Sequence, residues 1–142
     1  MNQIVRIMET DAEIMSTFST FKQLRPHLVE EDFLARIKHL QDTYGYYLVA
    51  VIEDHEVKAA AGYRVTESLA WGKYFYVDDL ITDEGSRRKG YAQTLWDWLI
   101  EQAKGNECEQ FHLDSGVHRF DAHRFYIKGG LDITCHHFQK SL

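Results

Sequence analysis

Apolar and polar positions follow two rhythms along this chain. The apolar-rich run Ile4 to Met8 reads as a first strand, after which Thr10 or Asp11 caps a helix over Ala12 to Phe21. Phe33, Leu34, Ile37 and Leu40 recur at helical spacing and predict a second helix from about Glu30 to Gln41, ended by Tyr44-Gly45. The rhythm then becomes strand-like. Tyr46 to Glu53 and Val57 to Thr66 are β-rich, and the polar turn Asp54-His55-Glu56 joins them as a hairpin. Trp71 to Thr82 predicts a long strand, Asp83 to Lys89 a polar loop, and Gly90 to Lys104 a helix capped by Gly105. On that helix Leu95, Trp98, Leu99 and Gln102 form the core stripe, and Trp96, two positions from Trp98, faces away. Gln110 to Asp114 reads as a short strand, Phe120 to Ile127 as a short helix stopped by Gly129-Gly130, and Ile133 to Phe138 as a last strand.

The order β-α-α-β-β-β-α-β-α-β predicts an α/β protein with a mixed, mostly antiparallel central sheet flanked by helices. No repeat, linker or low-complexity tract divides the chain, so residues 1–142 read as one domain. The composition, 44% hydrophobic and 27% charged, is that of a globular protein able to bury a core. A formal net charge of -6 repels phosphate backbones and argues against nucleic acid as a partner, while it draws in cations such as amines. Cys108 and Cys135 form neither a disulfide framework nor a CxxC site. Gln3 and Arg6 interrupt an opening too short for a leader peptide, and no apolar run approaches the ~18 residues of a membrane span. The expectation is a cytoplasmic protein with no membrane partner.

The chemistry concentrates in Val77 to Leu99, where a strand passes into a helix through a loop rich in Arg, Lys and Gly. A helix N-terminus offers unpaired amides and a partial positive charge. Arg87, Arg88 and Lys89 add cations there, and Gly90 and Ala92 let a ligand approach the backbone closely. Together they suit a pyrophosphate. Neither GxxxxGK[ST] nor GxGxxG is present.

Arg87-Arg88-Lys89-Gly90-Tyr91-Ala92 resembles the [QR]xxGx[GA] signature of the GNAT (GCN5-related) N-acetyltransferase superfamily. Asp78-Asp79-Leu80-Ile81-Thr82 resembles that family's bulged cofactor strand, and Ala122 to Leu131 resembles its AxxFYxxxGF segment. Two positions depart from the pattern: Arg119 stands where Asn is frequent, and Leu131 where Phe is frequent. Both bear on the acceptor rather than the fold.

The resemblance implies the GNAT fold, acetyl-CoA as cosubstrate with no metal, and direct transfer of acetyl to a primary amine in a ternary complex. It implies that Arg87 to Ala92 hold the pyrophosphate, and that a backbone amide at a bulge near Leu80 polarises the thioester carbonyl. Leu80, Ile81 and Thr82 line the pantetheine arm, which Leu80 and Thr82 pair as an added strand. Tyr126 donates a proton to the departing sulfur. An alkylamine ionises near pH ~10, so freeing its lone pair at neutral pH costs about 4 kcal/mol. A carboxylate beside the acceptor would help. Asp78 and Asp79 point to opposite faces of a regular strand, and Asp78 is the choice for the acceptor side. A structural role for both carboxylates is the competing reading.

Other residues carry weaker signals. His112, His118, His123, His136 and His137 lack any zinc spacing; His112 shares a strand face with Asp114, and His123 is a candidate wall of the acceptor site. Arg25, between the first two helices, can bind a carboxylate-bearing acceptor or simply be solvated. The acceptor is thus a small-molecule or peptide amine, and the family's habit of dimerising through terminal strands allows a homodimer. Two other functions compete: an acetyl-CoA-binding sensor or interaction module without turnover, and a general phosphate-binding protein.

Overall fold

The computed structural model describes residues 2–142. Its elements run β1 (Ile4–Ile7), α1 (Asp11–Ser16), α2 (Phe18–Leu24), α3 (Glu30–Tyr44), β2 (Tyr47–Glu53), β3 (Glu56–Ser68), β4 (Gly72–Thr82), α4 (Tyr91–Gly105), β5 (Gln110–Leu113) and α5 (Phe120–Lys128), with a single 3-10 turn at Glu84–Ser86. By internal contact the chain forms two compact units, Met1–His112 and Leu113–Leu142.

The sheet has the order β1-β2-β3-β4-β5, and the first three pairings are antiparallel. β5 runs the other way: the Glu109 amide donates to the Lys73 carbonyl at 2.7 Å, and Phe75 stacks on Phe111 with ring centroids 5.3 Å apart. Both strands therefore start at the same end and run parallel, joined by the crossover through α4 that parallel neighbours need. The mixed, mostly antiparallel sheet read from the sequence is present.

Each sheet face carries a helical layer. Leu48, Ala50, Ala60 and Ile81 pack with Ile14, Phe21, Phe33 and Ile37 of α1 to α3 in one core. The alternate residues Val49, Val51, Ala59 and Ala61 are also buried, on the face where α4 lies against β1 to β4. The Asp54-His55 pair makes a two-residue hairpin turn with both residues at positive φ, 56° and 63°, which matches the twist of the flanking strands.

Three expectations need correction. The first predicted helix is two helices, because the buried Thr17 hydroxyl donates to the Ile14 carbonyl at 2.7 Å and closes α1 there. On α4 the tryptophans exchange roles. Trp96 is buried with Tyr91, Leu95, Leu99 and Ala103, while Trp98 is half-buried and meets Tyr63 edge-on. The strand expected over Ile133 to Phe138 does not form; those residues have no regular structure, and Ile133 and Phe138 are exposed. β-propensity makes a strand only in the context of packing and pairing with a partner.

Candidate active site

β4 carries the site, and one irregularity shapes it. In its pairing with β3, Gly62 faces Asp79 and Tyr63 faces Val77, so Asp78 is an extra residue and the strand bulges there. The bulge lies at Asp78 itself, two residues before the position near Leu80 that the family resemblance implied. It also cancels the strand alternation that would send Asp78 and Asp79 to opposite faces. Both line one pocket of about 420 Å³, together with Arg25, Leu40, Tyr44, Tyr46 and Arg64.

Three polar side chains hold these carboxylates. Arg64 of β3 donates from Nε and Nη2 to the two oxygens of Asp78, at 2.7 and 2.9 Å. Its charge is further fixed over the Tyr76 ring, 5.2 Å from the centroid, and its bond to Asp78 pushes its pKa up. Arg25, at the C-terminus of α2, donates from Nε to Asp79 at 3.1 Å and from Nη2 to the Asp78 carbonyl at 3.0 Å. Tyr46 donates to the other oxygen of Asp79 at 2.8 Å. Burial, and then the charge of Asp79, raise the Tyr46 pKa well above its usual range, so the phenol keeps its proton and remains a donor. Tyr46 reaches Asp79 across β3 because Gly62 lies between them: a Cβ there would fall 1.7 Å from the Tyr46 hydroxyl oxygen.

Beyond the bulge the strand offers its edge. The Asp83 amide donates to the Lys58 carbonyl of β3 at 2.8 Å. By strand alternation Ile81 also faces β3, and the backbone groups of Leu80 and Thr82 face the opposite edge. β5 is only four residues long and starts beside Lys73 and Tyr74, so it runs out at the level of Val77. The Leu80–Thr82 edge extends past its end.

The loop after β4 has the geometry of an anion cradle. Ser86 is buried, whereas Arg87, Arg88, Lys89 and Gly90 are exposed. Gly90 caps α4 at φ 85°, and no side chain caps the helix start. A Cβ at Gly90 would meet nothing within 4 Å, so the chain leaves the space in front of the first-turn amides open. Arg88 also sits at positive φ, 64°. Tyr91 is buried, and its hydroxyl donates to Glu53 of β2, which pins the helix start to the sheet. Ala92, the last residue of the motif, lies in the first turn of α4. Gln23 of α2 ties this loop down as well, donating to Asp83 and accepting from the Glu84 amide, both at 2.8 Å. These residues fit the pyrophosphate of a coenzyme A thioester: exposed cations, free amides at a helix start and no side chain in the way.

Sequence reasoning missed Tyr46, Arg64 and Gln23. Arg64 was a strand residue without a partner; it lies opposite Tyr76, and the bulge at Asp78 puts that carboxylate within its reach. Arg25, by contrast, was flagged and does line the pocket.

In the second unit, Tyr126 of α5 is buried, and burial raises its pKa although the Arg119 charge works the other way. Arg119 stands at the N-cap of α5 and makes no capping bond. The His123 ring nitrogen Nε2 contacts the Gly116 carbonyl at 2.7 Å, and Asp114 pairs with His137 at 3.1 Å. Among the described residues no group of three or more His, Cys, Asp or Glu is placed to hold a metal, and no helix is long and apolar enough to cross a membrane.

Comparison with known proteins bears on the family and the fold. The model of the acetyltransferase (GNAT) family matches residues 7–130. A Bacillus subtilis (strain 168) protein, "Uncharacterized N-acetyltransferase YhdJ", is 31% identical over 129 residues, covering 90% of this chain and 91% of its own. Among solved structures, a GNAT family acetyltransferase of Staphylococcus aureus superposes with TM-score 0.84 at 19% identity, covering all of both chains. The aminoglycoside N-acetyltransferase AAC(6')-Iy, solved in complex with CoA, gives TM-score 0.84 at 12% identity, covering 99% of this chain and 95% of its own. At those identities the structural likeness is one of fold. The family match over most of the chain and the Bacillus relative decide the identity: this chain belongs to the GNAT acetyltransferase family.

Proposed function

We propose that the protein transfers acetyl from acetyl-CoA to the nitrogen of a primary amine by direct attack in a ternary complex. The observation that carries this reading is the continuity of β4. One strand holds a two-carboxylate pocket at its bulge and a backbone edge at Leu80 and Thr82 beyond the reach of β5, and it leads into the loop and uncapped start of α4. Arg87, Arg88, Lys89 and the amides of Gly90, Tyr91 and Ala92 bind the pyrophosphate. Leu80, Ile81 and Thr82 orient the pantetheine arm, and an edge-facing amide at Leu80 polarises the thioester carbonyl.

The amine enters the pocket as its ammonium ion. Asp78 accepts a proton from it, directly or through water; each carboxylate oxygen keeps a lone pair after bonding to Arg64. The freed nitrogen forms a bond to the acetyl carbon as the carbon–sulfur bond breaks. Tyr126, kept protonated by burial, supplies the proton that turns the departing thiolate into a thiol, and it is reprotonated by the second proton that the nitrogen sheds as the amide forms. One proton is released to solvent in each turnover. A cytoplasmic setting, where acetyl-CoA is available, goes with this reading.

The test is acetyl-CoA-dependent thiol release with amine acceptors. Tyr126→Phe should lower kcat by roughly 10²- to 10⁴-fold, the range of general acid catalysis, and change acetyl-CoA affinity little. A wild-type rate in Tyr126→Phe would remove that residue from the mechanism.

A further inference from the structure

The β4 pocket holds two charges of each sign, and they are arranged as pairs. Asp78 faces Arg64 and Asp79 faces Arg25, with nitrogen–oxygen distances of 2.7 and 3.0 Å. Both guanidiniums are gripped through Nε and Nη2. A guanidinium has five N–H donors, and Nη1 of each has no hydrogen-bond partner among the described residues. Both arginine side chains remain partly exposed, 43% for Arg25 and 35% for Arg64.

This arrangement suits a bare cation poorly. Each carboxylate already has a counter-charge, so a simple alkylammonium or a polyamine would gain little and would leave the Nη1 donors unused. A neutral molecule with an ammonium and a carboxylate a few bonds apart presents the complementary pair. Its ammonium meets Asp78 or Asp79, and its carboxylate meets the free end of the neighbouring guanidinium. The pocket also lies in the right place along the strand. Asp78 and Asp79 immediately precede Leu80, so their backbones lie within about 3–7 Å of it.

We propose that the acceptor is an amine carrying its own carboxylate close to the nitrogen, a free amino acid or a near analogue, selected by Arg64 and Arg25. This rests on the N-acetyltransferase reading above and narrows its acceptor. It disfavours peptide N-termini, which lack the adjacent carboxylate, and polyamines.

The experiment uses the wild-type protein in two arms. Melting temperature with and without acetyl-CoA tests the cosubstrate. Thiol release and product mass are then measured for the standard amino acids, their carboxamides and their decarboxylated amines. At least one amino acid is expected to be acetylated with kcat/KM roughly tenfold or more above its own amide and amine, the scale of losing one charge-assisted contact. In Arg64→Gln, with acetyl-CoA stabilisation retained as proof of folding, that preference should shrink towards unity through KM. Amides or simple amines acetylated as well as the amino acids would overturn the proposal. So would no turnover in any series while acetyl-CoA still stabilises the protein, which leaves the cosubstrate reading standing. If acetyl-CoA itself fails to bind, both readings fall together.

Discussion

Gly62 shows how a single missing side chain shapes the pocket. A Cβ there would collide with the Tyr46 hydroxyl, which donates to Asp79 from beneath β3. Gly62→Ala should therefore displace the Tyr46 ring and cost about 1–3 kcal/mol, the range for stranding a buried polar group, read as a lower urea midpoint. Gly90 is different in kind. Its Cβ would enter open space, so Gly90→Ala should cost only about 1–2 kcal/mol for the left-handed backbone. A larger loss at Gly90 than at Gly62 would contradict this account. The two glycines also differ in how readable they were. Gly90 stands in a contiguous motif, RRKGYA, whose chemistry is local to a loop and a helix start. Gly62, Tyr46 and Arg64 matter only because the chain adds one residue at Asp78, and no local pattern announces a bulge.

At the scale of elements, α4 tests the packing. Tyr91, Leu95, Trp96, Leu99 and Ala103 form its buried stripe, and Trp96 meets Phe111 of β5 edge-on at 5.2 Å. Trp96→Ala should cost about 3–5 kcal/mol, the range for emptying a large aromatic site, and Trp98→Ala clearly less; chemical denaturation of both variants checks the order. The sequence reading chose the other tryptophan because a stripe through Leu95 and Leu99 admits either neighbour, and the helix's rotation on the sheet decides between them. The strands, hairpin and longer helices were legible because their periods are strong. The break at Thr17 was not, since one side-chain bond to the Ile14 carbonyl sets it. The last predicted strand failed for a related reason: β-propensity is expressed only against a partner strand.

At the scale of the whole molecule, buried phenols link stability to alkaline pH. Burial pushes the Tyr63 pKa up to about 12 and raises those of Tyr46 and Tyr126, while its bond to Glu53 raises that of Tyr91. In the unfolded chain the same groups ionise near ~10. The folded protein therefore keeps protons that the unfolded chain releases. Their contribution is complete below pH ~10 and is lost as pH rises through the folded values. The melting temperature should fall steeply above pH ~10, and less steeply in Tyr63→Phe; an unchanged slope in that variant would contradict the assignment.

In the proposed reaction the loop from Arg87 to Ala92 receives acetyl-CoA. The measurement that decides this is melting temperature with acetyl-CoA, with ADP as control and Gly90→Trp as the blocked loop. At about 100 times its dissociation constant, acetyl-CoA should add ~2.7 kcal/mol, a rise of several degrees, in the wild type alone. No rise with acetyl-CoA, an equal rise with ADP, or a full rise in the blocked variant would contradict it.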